Sequence, residues 1–158
     1  MKRFVLLLLI AFVGIQAAFS QKRVQVDPEI SVVFPQNVSV YENYKQKTSA
    51  STRDGGFAIS FFPQNFDKSR GQMLAKKLRD VAFNTMRMNR NPDNYFTDEV
   101  ELDNAEGVVI CGFDRDYEYC MASLIISDKT NKGCYIFSYF DEDYVDMLDE
   151  ILDSIEFK

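Results

Sequence analysis

Short runs rich in apolar, β-branched and aromatic residues recur along this chain, some of them with apolar and polar positions alternating, and such runs are typical of β-strands. Such runs cover residues 30–34, 38–41, 57–62, 95–102, 107–113, 117–127 and 134–140. Pro35 to Asn37 is predicted to form the turn between the first two runs, and Pro63 is expected to end the third. Residues 45–55 are polar and finish in an Asp-Gly-Gly turn signal at 54–56, so they predict a loop.

Two segments show the helical period instead. Residues 69–90 open with a capping-box pattern at Ser69 and Gln72 and stop before Pro92. Their apolar stripe consists of Leu74, Leu78, Val81, Ala82, Thr85 and Met86. Residues 141–155 predict a second helix, with 154–157 expected to leave it as an extended tail.

The order of these elements predicts the fold class. Helices do not alternate with every strand, so a parallel doubly wound sheet is disfavoured. The prediction is α+β: a single antiparallel sheet of about six to seven strands, flanked by a long central helix and a C-terminal helix. Residues 30–158 are predicted to form one domain, and the polar residues 21–29 a flexible lead-in.

Residues 1–20 have the pattern of a secretory signal peptide. Lys2 and Arg3 precede an apolar run over 4–15, and small residues follow at 18 and 20. Cleavage is expected between Ser20 and Gln21, which predicts a periplasmic or secreted protein with no membrane insertion afterwards. The alternative is an uncleaved anchor, but spanning a bilayer takes about 20 apolar residues, more than this run supplies.

The chain is acidic, and its charge is unevenly distributed. Removal of Lys2 and Arg3 would take the formal net charge from −6 to −8, which disfavours nucleic acid and anionic membrane surfaces as partners. Residues 68–90 nevertheless sum to +6, and residues 141–158 sum to −7. Two solvated helix faces are the simpler interpretation; the alternative is a polarised surface that orients a partner.

Three cysteines are the next candidates. A two-residue turn at Arg115 and Asp116 would place Cys111 directly opposite Cys120, and export permits a disulfide between them. The alternative is a pair of small buried thiols, since cysteine is among the most buried residue types. Cys134 is then a free thiol, for which a buried structural role is the simpler interpretation. No C-x-x-C motif indicates redox catalysis.

The sequence contains few of the residues and motifs that enzymes use in catalysis. The chain has no histidine, which removes the commonest general base and transition-metal ligand. No P-loop, G-x-S-x-G or dinucleotide-binding pattern occurs. Acidic residues at 141–146 match the dipole of the following helix better than a calcium loop. No catalytic, cofactor-binding or metal-binding residue is therefore predicted, and no cofactor is expected.

The element order resembles the PsbP-like fold over roughly residues 30–158. The residues that support this resemblance are the Phe34-Pro35 step, the long amphipathic helix, the meander and the closing sequence Ile-Leu-Asp-Ser-Ile-Glu-Phe at 151–157. The junction at Ser20 and Gln21 is similar to those of exported Bacteroidetes proteins. The resemblance implies a non-enzymatic binding or assembly module. Some members of the family are implicated in metal association, which the absence of histidine disfavours here.

Together these observations predict an exported, non-catalytic module that binds a protein or a small ligand. One alternative is a small secreted hydrolase that uses carboxylates or a Ser-Lys pair. Another is a thiol-dependent protein that uses Cys134. Neither the ligand nor the oligomeric state follows from the sequence.

Overall fold

The computed structural model describes residues 21–43, 47–67, 69 and 71–158. The strands are β1 (Lys22–Asp27), β2 (Ile30–Phe34), β3 (Val38–Asn43), β4 (Lys47–Thr52), β5 (Phe57–Asn65), β6 (Tyr95–Leu102), β7 (Ala105–Phe113), β8 (Tyr119–Ser127), β9 (Lys132–Phe140) and β10 (Glu156–Phe157). Helix α1 (Gly71–Asp80) continues into a π-helical turn, Val81–Thr85, and α2 (Val145–Asp153) follows a 3-10 turn, Glu142–Tyr144.

The predicted α+β class with antiparallel strands is confirmed, but the strands form two sheets rather than one. The larger sheet has seven strands in the order β3-β4-β5-β9-β8-β7-β6, and the smaller has three in the order β1-β2-β10. Pro35 to Asn37 does form a turn, closed by a 3.2 Å hydrogen bond from the Val38 N–H to the Pro35 carbonyl. That turn carries the chain from the small sheet to the large one instead of making a hairpin.

The large sheet is covered on both faces. On one face β2, β10 and α2 pack against it, burying Phe34, Phe61, Ile151 and Phe157. On the other face α1 and its π-helical turn form a second core, to which Leu78, Ala82, Phe83, Met86, Ile110, Leu124 and Tyr135 contribute. The two helices therefore lie on opposite faces of the large sheet.

Two segments predicted to lack regular structure are strands. The prediction that residues 21–29 form a flexible lead-in is wrong, because β1 pairs with β2 and buries Val24 and Val26. The predicted loop at 45–55 is wrong for residues 47–52, since β4 lies in the large sheet with Thr48, Ala50 and Thr52 buried. Its turn is confirmed by a 3.3 Å hydrogen bond from the Gly55 N–H to the Thr52 carbonyl, and residues 45 and 46 lie outside the described residues. In both segments polar residues alternate with small or β-branched buried ones, and pairing with neighbouring strands decides the conformation.

Some element ends differ from the prediction for identifiable reasons. Pro63 does not end β5, because the last β4 partner is Thr48 opposite Phe61 and Pro63 lies beyond it in an edge segment. The first helix is shorter than 69–90, since Arg87 adopts a positive φ of 59°. The Asn89 N–H then donates to the Phe113 carbonyl at 2.8 Å. The extended tail at 154–157 is confirmed by β10.

The predicted signal peptide and Ser20 lie outside the described residues, of which Gln21 is the first. Cleavage at this junction therefore stays a prediction. Within the described part of the chain, no helix is both long and apolar enough to span a membrane.

Candidate binding groove

A groove of about 370 Å³ lies between α1 and the strands β6, β7 and β8. It exists because α1 is anchored mainly by Leu78, which is 1% exposed, and by the π-helical turn that follows. The N-terminal half of the helix carries only Leu74, half-buried, towards the sheet. The space beneath that half is not filled by side chains of the described residues.

The groove is lined by apolar side chains from α1 and from the strands β7 and β8. Leu78 and Leu124 are buried there, whereas Leu74, Val108 and Ile126 are only half-buried. Accessible apolar surface in a concave site is the usual setting of a ligand, because the ligand completes the burial. This groove can therefore hold the apolar part of a molecule.

Three carboxylates line the strand side of the groove. The register of the β6–β7 hairpin places Glu101 directly opposite Glu106, and Glu99 opposite Val108. Alternation along β6 puts Glu99 and Glu101 on the same face, and all three glutamates are exposed. Like charges directly opposite each other destabilise a sheet. The described ion pairs lie elsewhere, between Arg23 and Glu156, Arg87 and Asp116, and Lys132 and Asp27.

Glu106→Gln is expected to raise the free energy of unfolding by about 0.2–1 kcal/mol, because it removes the repulsion from Glu101 across the strands. Chemical denaturation monitored by circular dichroism measures the change. Glu118→Gln, which removes an exposed charge in the β7–β8 loop, is the matched control and should have a smaller effect. A destabilised Glu106→Gln variant would show that the carboxylate has a favourable partner.

A second depression, of about 730 Å³, lies near β10 and the end of α2. Its lining is mostly polar and charged, and includes Asp103, Asp153 and Lys158. Arg23 in this lining already has a partner, since its Nη1 atom lies 2.7 Å from Glu156 Oε2. The depression offers little apolar surface, so the groove beside α1 is the better candidate.

The possible Cys111–Cys120 disulfide is not formed, and the alternative of two unpaired thiols holds. Cys111 lies opposite Met121 and Cys120 opposite Gly112, one position away from the predicted register. The cause is a three-residue loop, since the Asp114 N–H bonds to the Glu118 carbonyl at 2.9 Å and Tyr117 adopts a φ of 62°. The shift places Cys111 and Cys120 on opposite faces of the sheet, and both are free thiols.

Cys134 is also a free thiol, and it is 1% exposed. Its Sγ donates to the Tyr135 carbonyl at 3.3 Å. Burial raises the pKa of the Cys134 thiol to about 12. Burial, with the nearby Asp114 and Cys111, also raises the pKa of Cys120 to about 12, and burial with Asp149 raises that of Cys111 to about 11. None of the three has the access or the thiolate character of a reactive cysteine.

All three thiols are expected to react slowly with Ellman's reagent in the native protein. At pH 8, a pKa of about 12 leaves only about one Cys134 in ten thousand as thiolate. Half-buried Cys111 should react first, and all three should react rapidly in denaturant. Immediate labelling of Cys134 in the native protein would contradict the buried position of its side chain. It would favour the alternative of a thiol-dependent protein.

The charged segments identified in the sequence are separated by the large sheet. Lys77 on α1 lies over the Tyr135 ring, with its Nζ 5.4 Å from the ring centroid, while the acidic α2 covers the other face. Lys68 and Arg70 lie outside the described residues. Asp141 precedes α2 without a side-chain capping bond. Among the described residues, no group of three or more potential ligands is arranged to hold a metal ion.

The architecture has counterparts among solved structures. The cyanobacterial PsbP (CyanoP) from Synechocystis sp. PCC 6803 superposes with a TM-score of 0.59 over 88% of this chain and 93% of that chain, at 10% sequence identity. This chain has a PsbP-like fold. The resemblance predicted from element order is thereby confirmed for the fold, and identity this low carries no information on function.

A second similar structure comes from Bacteroides thetaiotaomicron VPI-5482. It matches with a TM-score of 0.55 and 11% identity, over 88% of this chain. The chain spans about half of that protein, 49% of its length. No family model and no curated protein matches the sequence.

The groove glutamates of this PsbP-like domain were not among the predicted site residues. The signal was present in the turn at Asp103 and Asn104, because a two-residue turn there puts Leu102 opposite Ala105 and hence Glu101 opposite Glu106. The gap beneath the first half of α1 has no comparable signal, since it depends on how the helix sits on the sheet.

Proposed function

We propose that this protein is an exported, non-catalytic binding module whose ligand occupies the groove between α1 and β6–β8. The observation that supports it most directly is the half-buried apolar lining of the groove, made by Leu74 on α1 and by Val108 and Ile126 on the sheet. Binding a ligand there would remove apolar surface from water, which contributes a favourable free energy of about 25 cal/mol for each Å² buried. Export is inferred from the signal-peptide pattern of residues 1–20.

The absence of histidine from the whole sequence supports a non-catalytic role. The three thiols add no activated nucleophile, because Cys120 and Cys134 are buried, Cys111 is half-buried, and burial raises the pKa of each. The acidic charge makes a protein segment or a small molecule a better ligand than nucleic acid.

A carboxylate-dependent hydrolase is the second candidate, because Glu101 and Glu106 face each other beside the groove. Paired carboxylates are the catalytic groups of many glycoside hydrolases. Such enzymes hold at least one carboxyl group in a dry, apolar setting, so that it can act as an acid. Glu99, Glu101 and Glu106 are all exposed to water, which favours the binding role.

A neutral apolar dye, Nile red, tests the proposed function. Saturable binding with a blue shift in emission is expected for the native protein. Ala75→Trp should abolish it, because Ala75 lines the groove from α1 and is exposed, so the larger ring enters the groove without disturbing the core. Lys76→Trp, at the adjacent exposed position outside the groove, is the matched control and should bind as the parent does.

Two results would overturn the proposal. Dye binding that is unchanged by Ala75→Trp would place the apolar site elsewhere. Turnover of chromogenic glycosides or esters that Glu101→Gln or Glu106→Gln abolishes would show that the carboxylates are catalytic.

A further inference from the structure

Strand β6 is the last strand of the large sheet, so one edge of its backbone has no strand neighbour among the described residues. On its inner side all eight residues pair with β7, from Tyr95 opposite Gly112 to Leu102 opposite Ala105. The outer edge is therefore a row of peptide groups without a strand partner, although the Glu99 N–H donates to the Asp98 carboxylate at 2.9 Å, a hydrogen bond that an added strand would have to replace. Such an edge accepts an added strand, whose main chain supplies hydrogen bonds and whose side chains supply specificity.

The same edge borders the groove. Glu99, Val100 and Glu101 of β6 belong to the groove lining, together with Glu106 and Val108 of β7. A strand added outside β6 would direct alternate side chains to the α1 face. An apolar side chain on that face would enter the groove from its β6 side, with Val108 on β7 as the first apolar residue beyond β6, and its neighbours two residues away would lie beside the glutamates.

The negative charge at this edge determines which kind of added strand can bind there. Asp98 lies on the opposite face of β6 from Glu99 and Glu101, so both faces of the edge are acidic and exposed. A second copy of β6 would bring acids against acids, which disfavours self-pairing. A basic segment would neutralise them, including the facing pair Glu101 and Glu106.

Resting on the proposed function, we propose that the natural occupant is an extended segment of another protein, which adds to the outer edge of β6, inserts an apolar side chain into the groove and pairs lysine or arginine with Glu99, Glu101 and Glu106. The repulsion between Glu101 and Glu106 is then relieved only in the complex. The groove supplies the apolar contact, the edge supplies orientation, and the glutamates supply selectivity for basic sequences.

A designed peptide, Thr-Lys-Thr-Leu-Thr-Lys-Thr with capped ends and a neutral fluorophore, tests the partner class. Its length of about seven residues matches β6 at roughly 3.3 Å per residue. Fluorescence anisotropy should show saturable binding that weakens with salt. The same peptide with glutamate for lysine should bind at least about tenfold more weakly, since it loses the favourable charge pairs of its two lysines and gains repulsion.

Backbone methylation tests edge addition. In an added strand, the N–H groups of alternate residues point to β6 and those of the other residues point away. N-methylation of one alternate set should abolish binding, and N-methylation of the other set should leave it unchanged. Equal effects of the two sets would overturn strand addition.

The triple variant Glu99→Gln, Glu101→Gln, Glu106→Gln should bind the lysine peptide about tenfold more weakly. The matched control is Glu142→Gln, Asp143→Asn, Asp146→Asn, which makes the same charge change beside α2 and should bind as the parent does. Equal weakening in both variants would overturn a local role for the groove glutamates. Nile red binding without lysine-peptide binding would reject this partner and leave the proposed function standing, whereas failure of both probes would reject both.

Discussion

Replacing Phe157 with alanine is expected to lower the free energy of unfolding by about 3–5 kcal/mol. Phe157 is 4% exposed and belongs to the core between the two sheets. It pairs with Ile30 across β10 and β2, so its ring fixes the end of the chain to the small sheet. Alanine would leave a cavity that the surrounding strands cannot close.

The control for this variant is Glu156→Ala, at the neighbouring position of the same short strand. Glu156 pairs with Arg23 at 2.7 Å, but the two side chains are 63% and 50% exposed. Exposed ion pairs contribute between about 0 and 1 kcal/mol, so this variant should unfold close to the parent. Urea denaturation of the three proteins gives the comparison. A loss below about 1 kcal/mol for Phe157→Ala would show that the tail is not part of the core.

The closing sequence that suggested the fold is explained by this packing. Ser154 accepts a hydrogen bond from the Val33 N–H at 2.9 Å and donates one to the Ile151 carbonyl at 2.7 Å. Ile155 and Phe157 are both buried. The motif therefore ends α2, turns the chain and adds β10 to β2, which are structural tasks. Its presence in the sequence was informative about the fold and carried no information on a ligand.

Strands with strong alternation were predictable, and strands built from small polar residues were not. The alternating runs 38–41 and 57–62 lie within β3 and β5, and residues 95–102 form β6 with the predicted ends because turn residues bound them on both sides. In β4 the buried positions are Thr48, Ala50 and Thr52, which locally resemble a loop. Only pairing with β3 and β5 shows that they belong to a sheet, and such pairing is not a property of the segment itself.

The pairing of side chains across strands is harder to predict than the positions of the strands themselves. The prediction for Cys111 and Cys120 rested on a two-residue turn, and the observed loop is one residue longer. One residue of register moves a side chain to the other face of a sheet, so the predicted disulfide disappears although both strands were located correctly. At Asp103 and Asn104 the two-residue turn is real, and the facing glutamates follow from it.

The groove could not be predicted because it depends on where α1 stops contacting the sheet. The sequence pattern predicts a helix to residue 90, but the chain leaves the helix before Met88. Met88 is 1% exposed and forms an isolated antiparallel β-bridge with Asp114. This early exit fixes the C-terminal end of the helical segment on the sheet. The N-terminal half is left over the groove, with Leu78 as its nearest fully buried anchor.

Leu78→Ala is accordingly expected to lower the free energy of unfolding by about 2–5 kcal/mol and to free α1 from the sheet. Leu78 is the buried residue of α1, which has ten residues. A helix this short is marginal in water without tertiary packing. The helical ellipticity at 222 nm should therefore decrease before the sheet unfolds, and Nile red binding should be lost because one wall of the groove is gone.

Met73→Ala is the matched control on the same helix, since Met73 is 58% exposed. It should retain the ellipticity, the stability and the dye binding of the parent. If Leu78→Ala keeps the helical signal and the dye while losing stability, the helix is held by the π-helical turn alone. The groove would then be a rigid feature of the domain. If the helical signal and the dye are lost together at a temperature where β-sheet ellipticity persists, α1 is a separable wall whose docking controls access to the apolar floor.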